Sequence, residues 1–108
     1  MSVKIAKVYH NNFLVGDLSK SGGVYIFQYD EKYLLDESLP SISLTLPKRK
    51  EAFISEYLFP FFFGLLAEGD NKELQCRTLK IDENDNFTRL LKTAGKDTIG
   101  GVTVKEVL

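Results

Sequence analysis

Between Tyr57 and Asn71 the chain reads YLFPFFFGLLAEGDN, with four phenylalanines crowded into Phe59–Phe63 around Pro60. Successive helical residues lie about 100° apart. On a helix, Phe59, Phe62, Phe63 and Leu66 therefore share one broad face, and Phe61 and Leu65 point the other way. A surface helix has a polar back. This one is apolar all round, so the fold must either enclose it or offer part of it to a partner. A chain of 108 residues builds only one modest core, which makes enclosure of every ring difficult. Binding, rather than chemistry, is the first expectation.

Composition supports that expectation. Hydrophobic residues make up 44% and charged residues 27% of the chain, ordinary proportions for a globular protein. Fourteen basic and fifteen acidic side chains leave a net charge of -1. The densest basic run, Lys48-Arg49-Lys50, is followed at once by Glu51. A phosphate-tracking basic face is absent, so no direct nucleic-acid binding is expected. The single cysteine, Cys76, has no internal disulfide partner, which suits a reducing cytoplasm. No apolar run approaches the ~20 residues that span a bilayer.

The first half alternates with period two. Residues 3–9 and 13–18 read as paired strands joined by a turn at His10-Asn11-Asn12, since asparagine tolerates the left-handed conformation of tight turns. A second turn is expected at 19–23, before a strand over Val24–Tyr29. Asp30 is placed to cap a short helical turn through Tyr33 and Leu35. Ile42–Leu46 alternates between Pro40 and Pro47 as a further strand would.

The second half changes to helical spacing. Pro60 suits a helix's first turn, and Asp70 with Glu73 makes a capping-box pattern for a helix through Leu79. Phe87, Leu90, Leu91 and Ala94 mark another helix, stopped by Gly95. Residues 99–104 read as a return strand, where Gly100-Gly101 suggests a bulge or close backbone approach. The expected class is α+β: a small antiparallel sheet of about five strands packed with two to three helices from the second half. Residues 1–108 are read as a single domain.

No catalytic set emerges. His10 is the only histidine and falls in an expected exposed turn. Cys76, mid-helix, reads as a small core residue, and no CxxC or histidine pair offers a zinc site. Gly95-Lys96 lacks the upstream glycine of a phosphate loop. Asp82, Asn84 and Asn86 match the start of a calcium loop, but Phe87 stands at its glycine position and Thr93 at its glutamate position. Residues 82–86 are read as helix-capping. No cofactor, metal or catalytic residue is assigned.

Six ordered blocks then resemble a known family. They are Val8–Leu18, Tyr25–Asp30, Ile42–Pro47, Phe61–Asn71, Asp85–Phe87 with Leu90-Leu91, and Gly95–Asp97 with Gly100–Val104. Together the blocks look like the N-terminal subdomain of the HipA-type toxin kinases. Two positions depart from that pattern. Ala67 stands where the family usually has proline, and Phe63 stands where full-length relatives carry a polar or acidic residue. The second adds a large apolar group at a position that is usually wet.

The family's ATP-binding loop, catalytic aspartate and metal ligands lie downstream of this subdomain, so none carries over. A free-standing copy resembles HipS, the antitoxin of HipBST-type systems. The resemblance implies a non-enzymatic, cytoplasmic module that neutralises a separately encoded HipT- or HipA-like serine/threonine kinase, with a HipB-like DNA-binding protein as a further member of the complex. The alternative is a structural subunit, or an excised subdomain, that completes such a kinase without inhibiting it. The partner-binding residues expected are Phe63 first, with Phe61 as fallback, Leu65, and the polar turn Glu68, Gly69 and Asp70.

Overall fold

The computed structural model describes residues 4–66, 70–80, 82, 85–93 and 101–107. Five antiparallel strands form one sheet in the order β4-β3-β2-β1-β5. They are β1 Lys4–His10, β2 Phe13–Ser21, β3 Val24–Tyr29, β4 Phe53–Ser55 and β5 Val102–Glu106. Four helices accompany them: α1 Glu31–Leu35, α2 Pro60–Phe63, α3 Asp70–Leu79 and α4 Asn86–Thr93. The class is α+β, as the pattern of alternation followed by helical spacing implies.

The β1–β2 turn consists of Asn11 and Asn12, both left-handed at φ 50° and 72°. His10 is not in the turn. It closes β1 opposite Phe13 and Val102 and is half-buried. The next turn is likewise tighter than 19–23, because β2 runs through Ser21 and Gly22-Gly23 alone reverse the chain. Gly16 is a glycine for steric reasons: a Cβ there would sit 2.2 Å from the Gln28 carbonyl oxygen on β3. Gly101 carries φ +74°, its carbonyl accepts from the Asn11 N–H at 3.1 Å, and a Cβ would strike the Asn11 side chain. That is the close approach expected at Gly100-Gly101; Gly100 itself and Ile99 lie outside the described residues.

Ile42–Leu46 is not a strand. Leu46 N–H returns to the Ser43 carbonyl at 3.1 Å in a tight turn, and Leu44 at its tip is fully exposed. Two buried tyrosines hold this loop. The Tyr29 hydroxyl donates to the Leu46 carbonyl and accepts from the Ile42 N–H, the latter at 3.0 Å. Tyr33 donates to the Pro40 carbonyl at 2.7 Å. The segment's polar backbone groups thus find side-chain partners, and buried groups need only be satisfied, not laddered. The edge beside β3 is taken by β4, with Phe27 opposite Phe53. Two members of the basic run serve this loop as well. Lys48 donates to the Asp36 and Leu39 carbonyls at 2.9 Å each, and the Arg49 guanidinium lies 3.8 Å over the Phe53 ring.

Asp30 caps α1, accepting from the Lys32 N–H at 3.1 Å. Within the 82–86 stretch it is Asp85 that caps α4, accepting from the Thr88 N–H at 3.1 Å and the Thr88 hydroxyl at 2.7 Å. Asn86 is the first residue of α4; Asn84, Ala94 and Gly95 lie outside the described residues. One face of the sheet packs under the helices. Ala6, Val8, Leu18, Phe27, Val102 and Val104 meet Phe62, Phe87, Leu90 and Leu91 in one core. Cys76 is a buried free thiol on α3.

Replacing Tyr29 by phenylalanine leaves the Leu46 carbonyl and the Ile42 N–H without the hydroxyl, and should cost about 1–3 kcal/mol. Burial raises the Tyr29 hydroxyl's pKa, and burial with the nearby Asp36 charge raises that of Tyr33. For an acid that is neutral when folded, a raised folded pKa means stability present below the unfolded pKa of about 10 and lost as pH rises through the folded value. Thermal melts of the wild-type domain should therefore fall above about pH 10. The fall should be shallower, though not abolished, in Tyr29→Phe. An unchanged alkaline profile would contradict the clip.

Candidate partner-binding site

The aromatic stretch forms only a single helical turn. Pro60 occupies its first position, where the missing N–H is no loss, and Phe63 and Gly64 donate back to Phe59 and Pro60 at 3.0 Å. Beyond Gly64 the bonds shorten to i→i+3, from Leu65 to Phe62 and from Leu66 to Phe63 at 3.1 Å each. A continuous helical projection therefore does not assign faces past Phe63.

Packing assigns them instead. Phe62 is fully enclosed, with its ring 5.5 Å from Phe27 and 5.2 Å from Phe61. Phe59 and Leu66 are buried beside it. Phe61 and Leu65 are half-buried against the same core. Phe63, placed by helical projection on the buried face, is instead 43% exposed. Phe61, which the projection put farthest from the core, is the better covered of the two. Phe61 and Phe63 each lie about 100° to either side of Phe62, and it is packing against the core that covers Phe61 and leaves Phe63 open. Gly64, next along the chain, is also exposed.

Chain geometry adds two exposed side chains that sequence reasoning did not single out. Ile54 on β4 is 69% exposed and Tyr57 is 77% exposed. The Tyr57 N–H is held by the Ser55 hydroxyl at 3.1 Å, fixing the bend between β4 and α2. No period marks these residues in the sequence, because β4 is only three residues long. Of the expected polar turn, Glu68 and Gly69 lie outside the described residues, and Asp70 opens α3.

Among the described residues, no catalytic set lies near this surface. Two open clefts flank α1, one lined by Phe13, Asp30, Tyr33 and Asp36, the other by Glu31, Leu34, Leu35 and Lys50. Their carboxylates are Asp30, a helix cap, Glu31 in the first turn of α1, and Asp36, which accepts from the Ser38 N–H and hydroxyl. Those bonds hold the Asp36 carboxyl below its usual range. Among the described residues no cluster of His, Cys, Asp and Glu could hold a metal ion, and no helix is long and apolar enough to cross a membrane.

The model of the HipA N-terminal domain matches residues 6–105. The chain belongs to the HipA N-terminal domain family. A solved structure titled as the N-terminal domain of HipA toxin superposes with a TM-score of 0.74 at 25% identity, covering 100% of this chain and 96% of that one. "Putative kinase Y4mE" of Sinorhizobium fredii is 32% identical over 103 residues, which are 94% of this chain but 24% of Y4mE. An uncharacterized protein of Haemophilus influenzae is 32% identical over 104 residues, 96% of this chain and 93% of that protein. The chain thus spans about a quarter of its kinase-named relative and nearly all of the short one. The matched region is a HipA N-terminal-type domain alone, without a kinase domain.

Two substitutions separate the rings. Phe62→Ala should destabilise the domain by ~3–5 kcal/mol, as enclosed aromatic truncations do. Phe63→Ala should cost less than about 1 kcal/mol. Thermal or urea melts of both variants check this; similar losses would show that Phe63 belongs to the core.

Proposed function

We propose that this HipA N-terminal-type domain is a non-enzymatic antitoxin module. It binds a separately encoded HipT- or HipA-like serine/threonine kinase and neutralises it, with a HipB-like protein as a further member of the complex. The single observation that carries the reading is Phe63: a large ring, 43% exposed, on a helical turn pinned to the core by Phe62. A rigidly presented aromatic loses little freedom on binding, and such anchors are the usual energetic centres of interfaces. In this reading Phe63 enters or abuts the kinase's nucleotide or substrate cleft. Phe61 and Leu65 support it from the half-buried side, and Glu68, Gly69 and Asp70 are proposed as polar contacts to the same partner.

A second reading draws on a different observation. In Y4mE the matching stretch is 24% of a longer protein, which favours a module that completes a kinase without blocking it. Kinase activity distinguishes the two, because an inhibitor lowers phosphate transfer in proportion to occupancy and a completing subunit does not.

The experiment titrates the purified domain against a HipT- or HipA-like kinase, following both binding and phosphorylation. Wild type should bind and suppress activity. Phe63→Ala should weaken both about tenfold or more, the equivalent of roughly 1.4 kcal/mol. Tight binding by Phe63→Ala, or full activity of the saturated wild-type complex, would contradict the inhibitory mechanism.

A further inference from the structure

The registers that build the core also lay out the opposite, open face of the sheet. Ile5 stands opposite Ser19, Ser19 opposite Ile26, and Ile26 opposite Ile54. Just past β5, Val107 donates its N–H to the Ile5 carbonyl at 2.9 Å. Opposed residues share a face, so Ile54, Ile26, Ser19, Ile5 and Val107 make one row across the whole sheet. Ile54, Ile5 and Val107 are 69%, 41% and 44% exposed. A sheet with one wet face ordinarily turns polar side chains outward; this row is aliphatic except at Ser19.

Two residues along the strands lies a charged row, Gln28, Asp17, Lys7 and Lys105. Lys7 and Lys105 stand directly opposite one another, an arrangement that destabilises a strand pair. Asp17 takes Lys7 at 3.1 Å. The Lys105 ammonium lies 5.6 Å from the centre of the Tyr9 ring, a contact that leaves its charge unneutralised. The face therefore holds surplus positive charge beside an aliphatic row, in a chain whose net charge is -1.

We propose that this outer face is a second docking surface, for a protein surface in which an aliphatic ridge is bordered by a carboxylate that reaches Lys105. The proposal rests on the kinase reading and assigns the face to the same partner. Up to five strands at about 4.8 Å spacing, over these two outward rows, offer on the order of 300 Å². That is less than half of the roughly 800 Å² per partner in a stable interface, so the face extends a contact rather than making one alone. Tyr57 supplies the continuity, since the exposed side chains Ile54, Tyr57 and Phe63 follow the chain from the outer face, past the β4 edge, to α2. A second copy of this chain is the poorer match, because each face would bring the same surplus lysine.

The test uses two variants in the kinase titration, Ile5→Ser with Ile54→Ser, and Lys105→Glu. Each should weaken binding about tenfold, and the loss from Lys105→Glu should shrink at high salt. The double variant should melt near wild type. If it folds poorly, Lys105→Glu decides alone. Wild-type affinity in both variants, with Phe63→Ala still impaired, overturns this inference and leaves the kinase reading standing. No binding by wild type overturns both. Self-association that these variants abolish, with kinase binding intact, assigns the face to a second copy and overturns the proposal.

Discussion

The contact on which the rest of the molecule depends is the seating of Phe62 against Phe27. Phe27 is fully buried on β3, with its ring 5.0 Å from Tyr29, 6.4 Å from Phe53 and 5.5 Å from Phe62. One side chain thus ties together the middle of the sheet, its β4 edge, the tyrosine that clips the 42–46 loop, and α2. α2 is a single turn, and the buried Phe59 and Leu66 on either side of it and its packing on α4 hold it in the same seat. Once Phe62 points into the sheet, Phe61 and Phe63 are turned to either side of it, and the core covers Phe61 and leaves Phe63 at the surface. The exposure of an apolar ring is a consequence of packing its neighbour.

That arrangement explains how a small domain reconciles four crowded phenylalanines with one core. Phe59 and Phe62 are enclosed, Phe61 is shared between core and surface, and Phe63 is left out. A phenylalanine there leaves apolar area facing solvent, with its ring 43% exposed. The short Haemophilus relative shows that a chain of nearly this span occurs by itself, whereas in Y4mE the same fold unit is a quarter of the protein.

Much of this was legible in the sequence, and the exceptions have physical causes. The strand alternation, the Asp30 cap and the Phe87-Leu90-Leu91 stripe all arise from local periodicity, which sequence displays directly. Ile42–Leu46 has the same alternation but no ladder, because the Tyr29 hydroxyl, distant in sequence, takes its Ile42 N–H and Leu46 carbonyl. Phe53–Ser55 has no period to show, yet it forms the edge strand because Phe53 packs on Phe27. At the site, the helical projection put Phe63 inside and Phe61 outside. It failed because the helix stops after one turn, and the choice of face is then made by a tertiary contact. The aliphatic row of the outer face is invisible in sequence for the same reason: its members lie on different strands, and only the register aligns them.

The central claim is that Phe63 meets a kinase active site, and its most direct measurement is site-specific photocrosslinking from that position. A benzophenone side chain in place of Phe63, irradiated in the assembled complex and mapped by mass spectrometry, reports what the residue touches. The account predicts crosslinks to residues lining the kinase's nucleotide or substrate cleft, suppressed by excess ATP analogue or substrate peptide. Crosslinks confined to a surface remote from that cleft, in a complex that forms normally, would contradict it.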